Sequence, residues 1–353
     1  MDQILIVPAN HISLTRKTRV VIEKIMPTCT ESIRRSFVEA AKAHGRTLSS
    51  KSQDWITRKN LACLDLHCDA FGISESVRGS RAFTGFASIV RNSEHGSVEV
   101  SVKVEDGIAH AARFNIFCQP SDKAGFVSDV VAFFDDVATL DAVHLNATPV
   151  RDILDASLDW SSVSRVVCGI DLRTEPGRSR LKLWFFAEDE PERPDNLVTR
   201  TLTEHGASSL FRAFHVHPML LLGYDLRFDG TTALKLYPDI REDEFASAEV
   251  QSRLASVLSA RAQEAMAQSH WTHLYLSNRN TGTMLQFHPK EPDEFLCNWL
   301  PHPLAHGIHR TYAELPLLDM VVSLPAIELD RNAIENFTLY YMPADLPQNF
   351  NLS

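Results

Sequence analysis

Two similar segments of the chain carry a lysine at nearly the same point. Residues 169–173, Gly-Ile-Asp-Leu-Arg, are followed by Lys182, and residues 223–227, Gly-Tyr-Asp-Leu-Arg, are followed by Lys235. Each segment alternates like a β-hairpin whose returning strand carries the lysine. A repeat of about this length is typical of one supersecondary unit copied around a symmetric architecture. Cations repeated on one strand face favour a ligand with several negative oxygens.

The alternation of the strands separates a charged face from an apolar face. In residues 97–104 the valines share one face, and Glu99 shares the other with serine and lysine residues. The same pattern places Arg113, Lys182 and Lys235 opposite apolar neighbours. If the strands close into a barrel with helices outside, the charged faces line a lumen. A buried cluster of cations there needs an anionic partner, for which a diphosphate is suited.

An open antiparallel sheet with its polar face in water explains the same alternation. The cations would then pair with carboxylates on the strands: Arg113 with Glu99, Lys182 with Asp171, and Lys235 with Asp225. Five hairpins, with enough helices to cover the apolar faces, favour the barrel over the open sheet.

Hairpins and helical segments alternate along most of the chain. Hairpins are predicted over residues 97–117, 169–183, 223–237 and 272–287, and a fifth joins 320–323 to 337–341. Helices are predicted over residues 55–71, 121–143, 242–268 and 293–312. This order predicts a single domain over residues 51–345. Residues 1–50 are expected to form a partly helical N-terminal extension, and residues 346–353 a tail.

Composition and charge exclude several classes of protein. The 353 residues are 44% hydrophobic, enough for a sizeable core, and the net charge of −10 argues against nucleic-acid or anionic-membrane partners. The chain start does not have the pattern of a signal peptide, and no run approaches the roughly 18 apolar residues of a membrane span. The cysteines lie mostly in apolar runs, so we expect reduced thiols in a cytoplasmic protein. We also expect the protein to be a monomer.

Motifs at residues 58–71, 167–193, 222–245 and 334–341 include the two Gly-x-Asp-Leu-Arg segments and a final Leu-Tyr-Tyr. In this order, over roughly residues 53–345, they resemble the cyanobactin peptide prenyltransferases of the TruF/LynF/PatF type. The resemblance implies an α+β fold, the ABBA barrel, in which helices surround ten antiparallel strands built from five αββα-type repeats. It also implies a lumen where an isoprenyl diphosphate meets a peptide side chain.

The resemblance further implies roles for particular lumen residues. Those expected to bind the diphosphate are Arg113, Lys182, Lys235, Tyr237 and Tyr340. Glu99 is expected to take the proton of the acceptor, since burial raises a carboxyl pKa toward neutrality. Those expected to shield the allylic cation or line the prenyl and acceptor pocket are Trp184, Phe186 and His273. Ordinary ion pairs and core aromatic residues are the alternative explanation for these positions.

Two departures from the family pattern affect the donor. Where relatives tend to continue with basic residues after Lys182, this chain has Trp184 and Phe186, which predicts a differently arranged diphosphate site. His273 corresponds to the position that governs prenyl length in the family. A bulky histidine favours a dimethylallyl group, but the absence of a family aromatic near residues 317–322 opens space for a geranyl group. Both donors therefore remain open.

The reaction implied by the resemblance is transfer of a dimethylallyl or geranyl group to a peptide. The peptide would be ribosomally made and linear or macrocyclic, with a Tyr, Ser, Thr, Trp, His or Arg acceptor. Mg²⁺ is expected on the diphosphate, without protein ligands; the three histidines at 302, 306 and 309 have ligand-like spacing, but Pro303 interrupts it. Two alternatives stay open: prenylation of a small aromatic metabolite, and non-catalytic binding of a ligand in the lumen.

Overall fold

The computed structural model describes residues 53–93, 96–119, 121–155, 160–188, 208–216, 219–277, 282–313 and 315–344. The predicted extension, residues 1–50, and the predicted tail, residues 346–353, lie outside these ranges, as does the turn of the fourth hairpin at residues 278–281. The strands of all five predicted hairpins lie inside them. They form one antiparallel sheet.

The strands follow the predicted hairpins closely, because alternation of apolar and polar residues is a local property of the sequence. They are β1 Ser97–Glu105, β2 Ile108–Cys118, β3 Val163–Asp171, β4 Arg180–Glu188, β5 Met219–Arg227, β6 Thr232–Tyr237, β7 Asp239–Arg241, β8 Ser269–Ser277, β9 Met284–Pro289, β10 Leu317–Pro325 and β11 Phe337–Pro343. The first hairpin turns at Asp106 and Gly107, which both have positive φ. Glycine adopts that conformation without steric cost.

The sheet closes on itself through the pair β6 and β8. Neighbouring strands follow the order β6-β5-β4-β3-β2-β1-β11-β10-β9-β8, and Lys235 of β6 pairs with Ser277 of β8. The short β7 continues the pairing with β8 beyond Pro238. Ten antiparallel strands therefore form a closed barrel whose ring has no free edge. The predicted ten-stranded barrel is confirmed.

The helices of the described residues surround this barrel. They are α1 Gln53–Ala70, α2 Glu75–Arg78, α3 Arg81–Asn92, α4 Lys123–Ala138, α5 Thr148–Asp155, α6 Ser208–Phe214, α7 Glu242–Phe245, α8 Ala248–Ala255, α9 Ala260–Ala267, α10 Pro292–Trp299, α11 Pro303–Arg310 and α12 Ala326–Arg331. None of them combines the length and the apolar character that a membrane crossing requires.

The single helix predicted over residues 242–268 is wrong. Three short helices, α7 to α9, occupy this stretch, and Ser247 and Ser259 are the N-caps of the second and third. The hydroxyl of Ser259 accepts a hydrogen bond from the backbone N–H of Ala262 at 3.1 Å. A capping serine takes up backbone donors that a continuous helix would have satisfied internally. Val250 and Leu254, which have helical spacing in the sequence, both lie in α8 and are buried.

The main core lies between the outer face of the barrel and the helices. Val98, Val100, Val102 and Val104 of β1 point to this side, and each is at most 1% exposed. Burial of such side chains stabilises the fold by roughly 1.5 kcal/mol each. The opposite face of β1 is also buried, with Glu99 at 7% and Ser101 at 1% exposed. The open sheet with its polar face in water is therefore excluded.

Candidate active site

The polar faces of the strands meet inside the barrel. Arg113 on β2, Lys182 on β4 and Lys235 on β6 are 3%, 2% and 7% exposed. All three lie on the inward face that the alternation predicts. A lumen that buries several cations must supply negative groups, either from the protein or from a ligand. Carboxylates that the barrel itself supplies include Asp171 and Asp225, Glu99 and Glu105 on β1, and Asp319 on β10, which contacts His288 at 2.8 Å.

Asp171 of β3 binds three guanidinium groups at one end of the lumen. Arg113, Arg173 and Arg180 approach its oxygens at 2.7, 2.7 and 2.6 Å. Burial alone would raise the pKa of Asp171, but Arg113 and Arg180 outweigh burial and hold this pKa well below its usual range. Arg113 therefore pairs with Asp171 and not with Glu99, the partner that the open-sheet alternative assigned to it.

Asp225 of β5 binds the next two cations. Its Oδ2 atom accepts from Lys235 at 2.6 Å and from Arg180 at 2.8 Å. Burial opposes ionisation, yet Lys235 and Arg180 lower the pKa of Asp225 to about 2. Burial also lowers the pKa of Lys235 to about 8. The pairing of Lys235 with Asp225 is the one ion pair of the open-sheet alternative that forms inside the barrel.

Lys182 has no carboxylate within ion-pair distance among the described residues. Its Nζ donates only a long hydrogen bond, 3.5 Å, to Oδ1 of Asn115, and lies 5.4 Å from the centre of the Trp184 ring. Burial, and then the positive charge of Arg113, lower the pKa of Lys182 well below its usual value. An anion that entered the lumen beside this amine would supply the charge that the protein does not.

Glu99 lies on the other side of the same amide. Nδ2 of Asn115 donates to Oε1 of Glu99 at 2.5 Å. Burial raises the pKa of Glu99 to about 7, although the hydrogen bond from Asn115 opposes the rise. Asn115 can lie here because residue 169 is glycine: a Cβ at Gly169 would come within 2.2 Å of the Asn115 Oδ1 atom. A carboxyl group with this pKa can take up a proton near neutral pH.

Aromatic side chains form the next layer toward the cavity. Tyr237 is 5% exposed and stacks on Tyr275 with ring centres 5.2 Å apart. The guanidinium of Arg113 lies 6.0 Å from the centre of the Tyr340 ring. Burial raises the pKa of both Tyr237 and Tyr340, so both hydroxyls stay protonated and able to donate. Trp184, 8% exposed, lies between Lys182 and Tyr237.

A cavity of about 940 Å³ lies at the mouth of the barrel. Phe186 and His273 line it, together with Leu221, Arg165 and Trp271. Burial lowers the pKa of His273 to about 4, so the imidazole is neutral near pH 7. The volume falls within the usual range of ligand pockets, about 300–1,000 Å³. The cavity thus adjoins the aromatic layer, below which lie Lys182 and Glu99.

Of the nine predicted site residues, Phe186 and His273 line the cavity, and the other seven lie on the inward face of their strands. Three residues that were not predicted connect several of these seven. Arg180 joins Asp171 to Asp225, Asn115 joins Glu99 to Lys182, and Arg173 is the third guanidinium on Asp171. Arg180 could have been found, because it stands two residues before Lys182 and therefore on the same strand face. The bridging role of Asn115 depends on three strands and left no local signal.

The histidines with ligand-like spacing are engaged elsewhere. His309 stacks on Tyr341 and contacts Asp293 at 3.2 Å, and His302 is the N-cap of α11. Within the described ranges, no group of three His, Cys, Asp or Glu side chains is placed to hold a metal ion. The carboxylates of Asp171 and Asp225 already pair with arginine and lysine side chains. These residues do not fit a protein-bound Mg²⁺.

Comparisons with known proteins give one family and several distant structures. The profile described as "Family of unknown function (DUF5838)" matches residues 58–343. No curated protein matches the chain. Among solved structures, 5-dimethylallyltryptophan synthase from Streptomyces coelicolor is 15% identical, with a TM-score of 0.45 over 75% of this chain and 93% of that chain. AnaPT from Neosartorya fischeri is 14% identical, with a TM-score of 0.44 over 88% of this chain and 99% of that chain.

Proposed function

The chain belongs to the Family of unknown function (DUF5838), and from the chemistry of its lumen we propose that it is a prenyltransferase. The observation that carries this proposal is Lys182, a buried amine without a carboxylate partner among the described residues, joined through Asn115 to the high-pKa carboxyl of Glu99. A buried amine and a proton acceptor thus lie on either side of one side-chain amide. This is the pair that diphosphate departure and acceptor deprotonation require.

The first step is cleavage of the allylic C–O bond. The departing diphosphate gains negative charge, and preorganised cations and donors that face it stabilise the transition state. Lys182 is the primary contact in this proposal, because it gains an anionic partner that it lacks in the free protein. Lys235 and Arg113 contribute from their pairs with Asp225 and Asp171, and Tyr237 and Tyr340 contribute as protonated hydroxyl donors.

The second step is capture of the allylic carbon by the acceptor. The aromatic faces that border the cavity exclude water from the cation and attract it electrostatically. Phe186 lines the cavity directly, and Trp184 lies one layer below. As the new bond forms, the acceptor loses a proton, which Glu99 takes into its carboxylate. A base with a pKa near the working pH combines a sufficient ionised fraction with a sufficient affinity for the proton.

We propose that Mg²⁺ enters on the diphosphate. Hard divalent cations are commonly held by substrate phosphates together with water. The buried carboxylates of the barrel already bind guanidinium and ammonium groups, so the ion would contact the donor and not a protein chelate. The cations of the lumen supply electrostatic stabilisation whether or not the donor carries the ion.

For the acceptor we propose a side chain of a cyanobactin-like, ribosomally made peptide. Support comes from the resemblance of the separated motifs, and from a cavity that opens at a rim where Trp271 is 40% exposed. Such an opening admits one side chain while the rest of a larger molecule stays outside. A small aromatic metabolite, the alternative acceptor, would occupy the cavity as a whole.

A single experiment tests the activity and the acceptor class. The protein is incubated with dimethylallyl or geranyl diphosphate, Mg²⁺ and either cyclic and linear peptides or small phenols and indoles, and products are identified by mass spectrometry. Prenylated peptides are the expected outcome, and the donor that reacts fixes the chain length. Turnover of small aromatics alone would replace the peptide proposal. Tight binding of the diphosphate without any product would mean a ligand-holding protein.

A further inference from the structure

Trp184 carries a buried hydrogen-bond donor that has no acceptor. The side chain lies on the inward face of β4, two residues after Lys182, and the residue is 8% exposed. Its Nε1 atom makes no hydrogen bond to any described residue. Buried indole N–H groups usually find an acceptor, as that of Trp299 does with Gln268 at 2.8 Å. The unbonded indole N–H of Trp184 therefore needs an explanation.

The place of the indole is made possible by a glycine on the neighbouring strand. Gly223 of β5 pairs with Trp184 on one side and with Lys235 on the other. A Cβ at Gly223 would come within 1.4 Å of Cδ1 and 2.1 Å of Nε1 of Trp184. The N–H edge of the ring therefore lies over Gly223, in the space of the missing side chain.

Two ammonium groups lie close to this ring. Nζ of Lys182 is 5.4 Å and Nζ of Lys235 is 5.9 Å from the ring centre. The nearby carboxylate, Asp225, also has one oxygen without a donor, but that oxygen and the indole do not bond to each other. The N–H edge lies at Gly223, whose partner on the next strand is Lys235, so an acceptor bound by Lys235 would lie on the side of the ring that carries the N–H.

We propose that the indole N–H of Trp184 donates a hydrogen bond to the diphosphate that Lys182 and Lys235 hold. The assignment rests on the proposed function and deepens it. It changes the role first expected for Trp184, which was to shield the allylic cation with its face. An indole nitrogen donates hydrogen bonds and does not accept them. Its partner in the ligand must therefore be an acceptor, such as a phosphoryl oxygen.

A neutral donor suits this position for an electrostatic reason. Arg113 and Arg180 already disfavour the charged form of Lys182. A further basic side chain at position 184, two residues away on the same face, would add to this repulsion before the ligand arrives. The indole adds a hydrogen bond to the anion without adding a positive charge to the lumen.

The test compares inorganic diphosphate with the prenyl donor. In the variant Trp184→Phe, which keeps an aromatic face and loses the N–H, we expect the dissociation constants of inorganic diphosphate and of dimethylallyl diphosphate to rise together. A hydrogen bond to a charged group predicts a rise of about tenfold or more. The matched control is Trp299→Phe, which removes an indole N–H that is bonded to Gln268 in the helical layer and should leave the affinity for inorganic diphosphate unchanged. Unchanged affinity in Trp184→Phe would overturn the assignment.

A second measurement uses the wild-type protein and needs no altered core. With ¹⁵N-labelled tryptophan, one indole resonance should shift when inorganic diphosphate is added, and that resonance should be the one missing from the Trp184→Phe spectrum. Calorimetric binding of diphosphate without any indole shift overturns the role of Trp184 and leaves the proposed function standing. If the wild-type protein binds no diphosphate at all, both proposals are wrong.

Discussion

Glu99 and Lys182 are joined through one side-chain amide. Asn115 donates to Glu99 at 2.5 Å and accepts from Lys182 at 3.5 Å. Burial raises the pKa of the carboxyl to about 7 and lowers the pKa of the amine, so both groups are shifted toward their neutral forms. A diphosphate beside Lys182 would favour the ammonium form of this side chain. The charge at the diphosphate site is thus coupled through Asn115 to the protonation of Glu99.

The substitution Glu99→Gln tests the base. Glutamine keeps an oxygen for the hydrogen bond from Asn115 and removes the ability to take a proton. We expect the rate of prenyl transfer to fall by about 100-fold to 10,000-fold, with the affinity for dimethylallyl diphosphate retained. Product formation is followed by mass spectrometry and donor binding by calorimetry. A variant that transfers prenyl groups at the wild-type rate would remove Glu99 from the mechanism.

The pH dependence of the wild-type enzyme gives an independent check on Glu99. A general base acts in its ionised form, and that form predominates above its pKa. We therefore expect kcat/KM to rise as the pH increases through about 7, the value to which burial raises this pKa. The residual activity of Glu99→Gln should lack the rise. A wild-type profile that is flat between pH 5 and 9 would contradict the assignment.

Lys182→Met separates binding from stability. The substitution removes a buried amine that pairs with no carboxylate of the residues the structure describes, so the free energy of unfolding should stay the same or increase. The affinity for inorganic diphosphate should fall by about tenfold or more, since a charged hydrogen bond is lost. Lys235→Met is the matched variant. It removes a partner of Asp225, so it should lower the free energy of unfolding as well. If Lys182→Met is the more destabilising of the two, Lys182 has a structural role.

Asp225→Asn should destabilise the barrel. It removes the negative charge that Lys235 and Arg180 share inside the protein, and loss of one partner of a buried ion pair costs about 3–5 kcal/mol. The control is Asp136→Asn, whose pair with Arg81 is more than half exposed on the aspartate side and should change stability by less than about 0.5 kcal/mol. Denaturant unfolding at pH 7 measures both.

The lowered pKa of Asp225 predicts how the free energy of unfolding depends on pH at the acid end. The pKa of Asp225 is lowered from 3.8 to about 2 in the folded protein. Its contribution to stability is therefore complete above the unfolded pKa and is lost as the pH falls from about 4 to about 2. The wild-type free energy of unfolding should decline over this interval more steeply than that of Asp225→Asn. Equal slopes would show that the pKa of Asp225 is the same in the folded and unfolded states.

Gly223→Ala should displace the indole of Trp184. The new methyl group would come within 1.4 Å of Cδ1 of the ring, so the ring or the strand must move, and overpacking of this kind costs about 1–3 kcal/mol. We expect weaker binding of inorganic diphosphate together with a lower free energy of unfolding. Gly282→Ala is the control, because no atom lies within 4 Å of the added Cβ. If both variants bind diphosphate with wild-type affinity, the position of the indole over Gly223 does not contribute to diphosphate binding.

Much of the barrel follows from local pattern. Alternation with a period of two marks the five hairpins, and it assigns Glu99, Arg113 and Lys182 to one face before any pairing is known. The prediction of one long helix over residues 242–268 was wrong because helical spacing persists across Ser247 and Ser259, the N-cap positions at which new helices begin. Nothing in the local pattern explains why the repeat has glycine at residues 169 and 223. In the barrel each makes room for a side chain from the strand beside it.

The sequence by itself determined which side chains share one face of a strand, since successive side chains along a strand point to opposite faces. Only the tertiary structure decided which cations are neutralised. Arg113 and Asp171 are 58 residues apart, and Lys182 and Asn115 are 67 apart. Their contacts depend on the register between neighbouring strands, in which Arg113 pairs with Asp171 and Gly169 lies between Asn115 and Lys182. Ion pairing acts over a few ångströms, so the register left Lys182 without a carboxylate and gave the lumen its place for an anion.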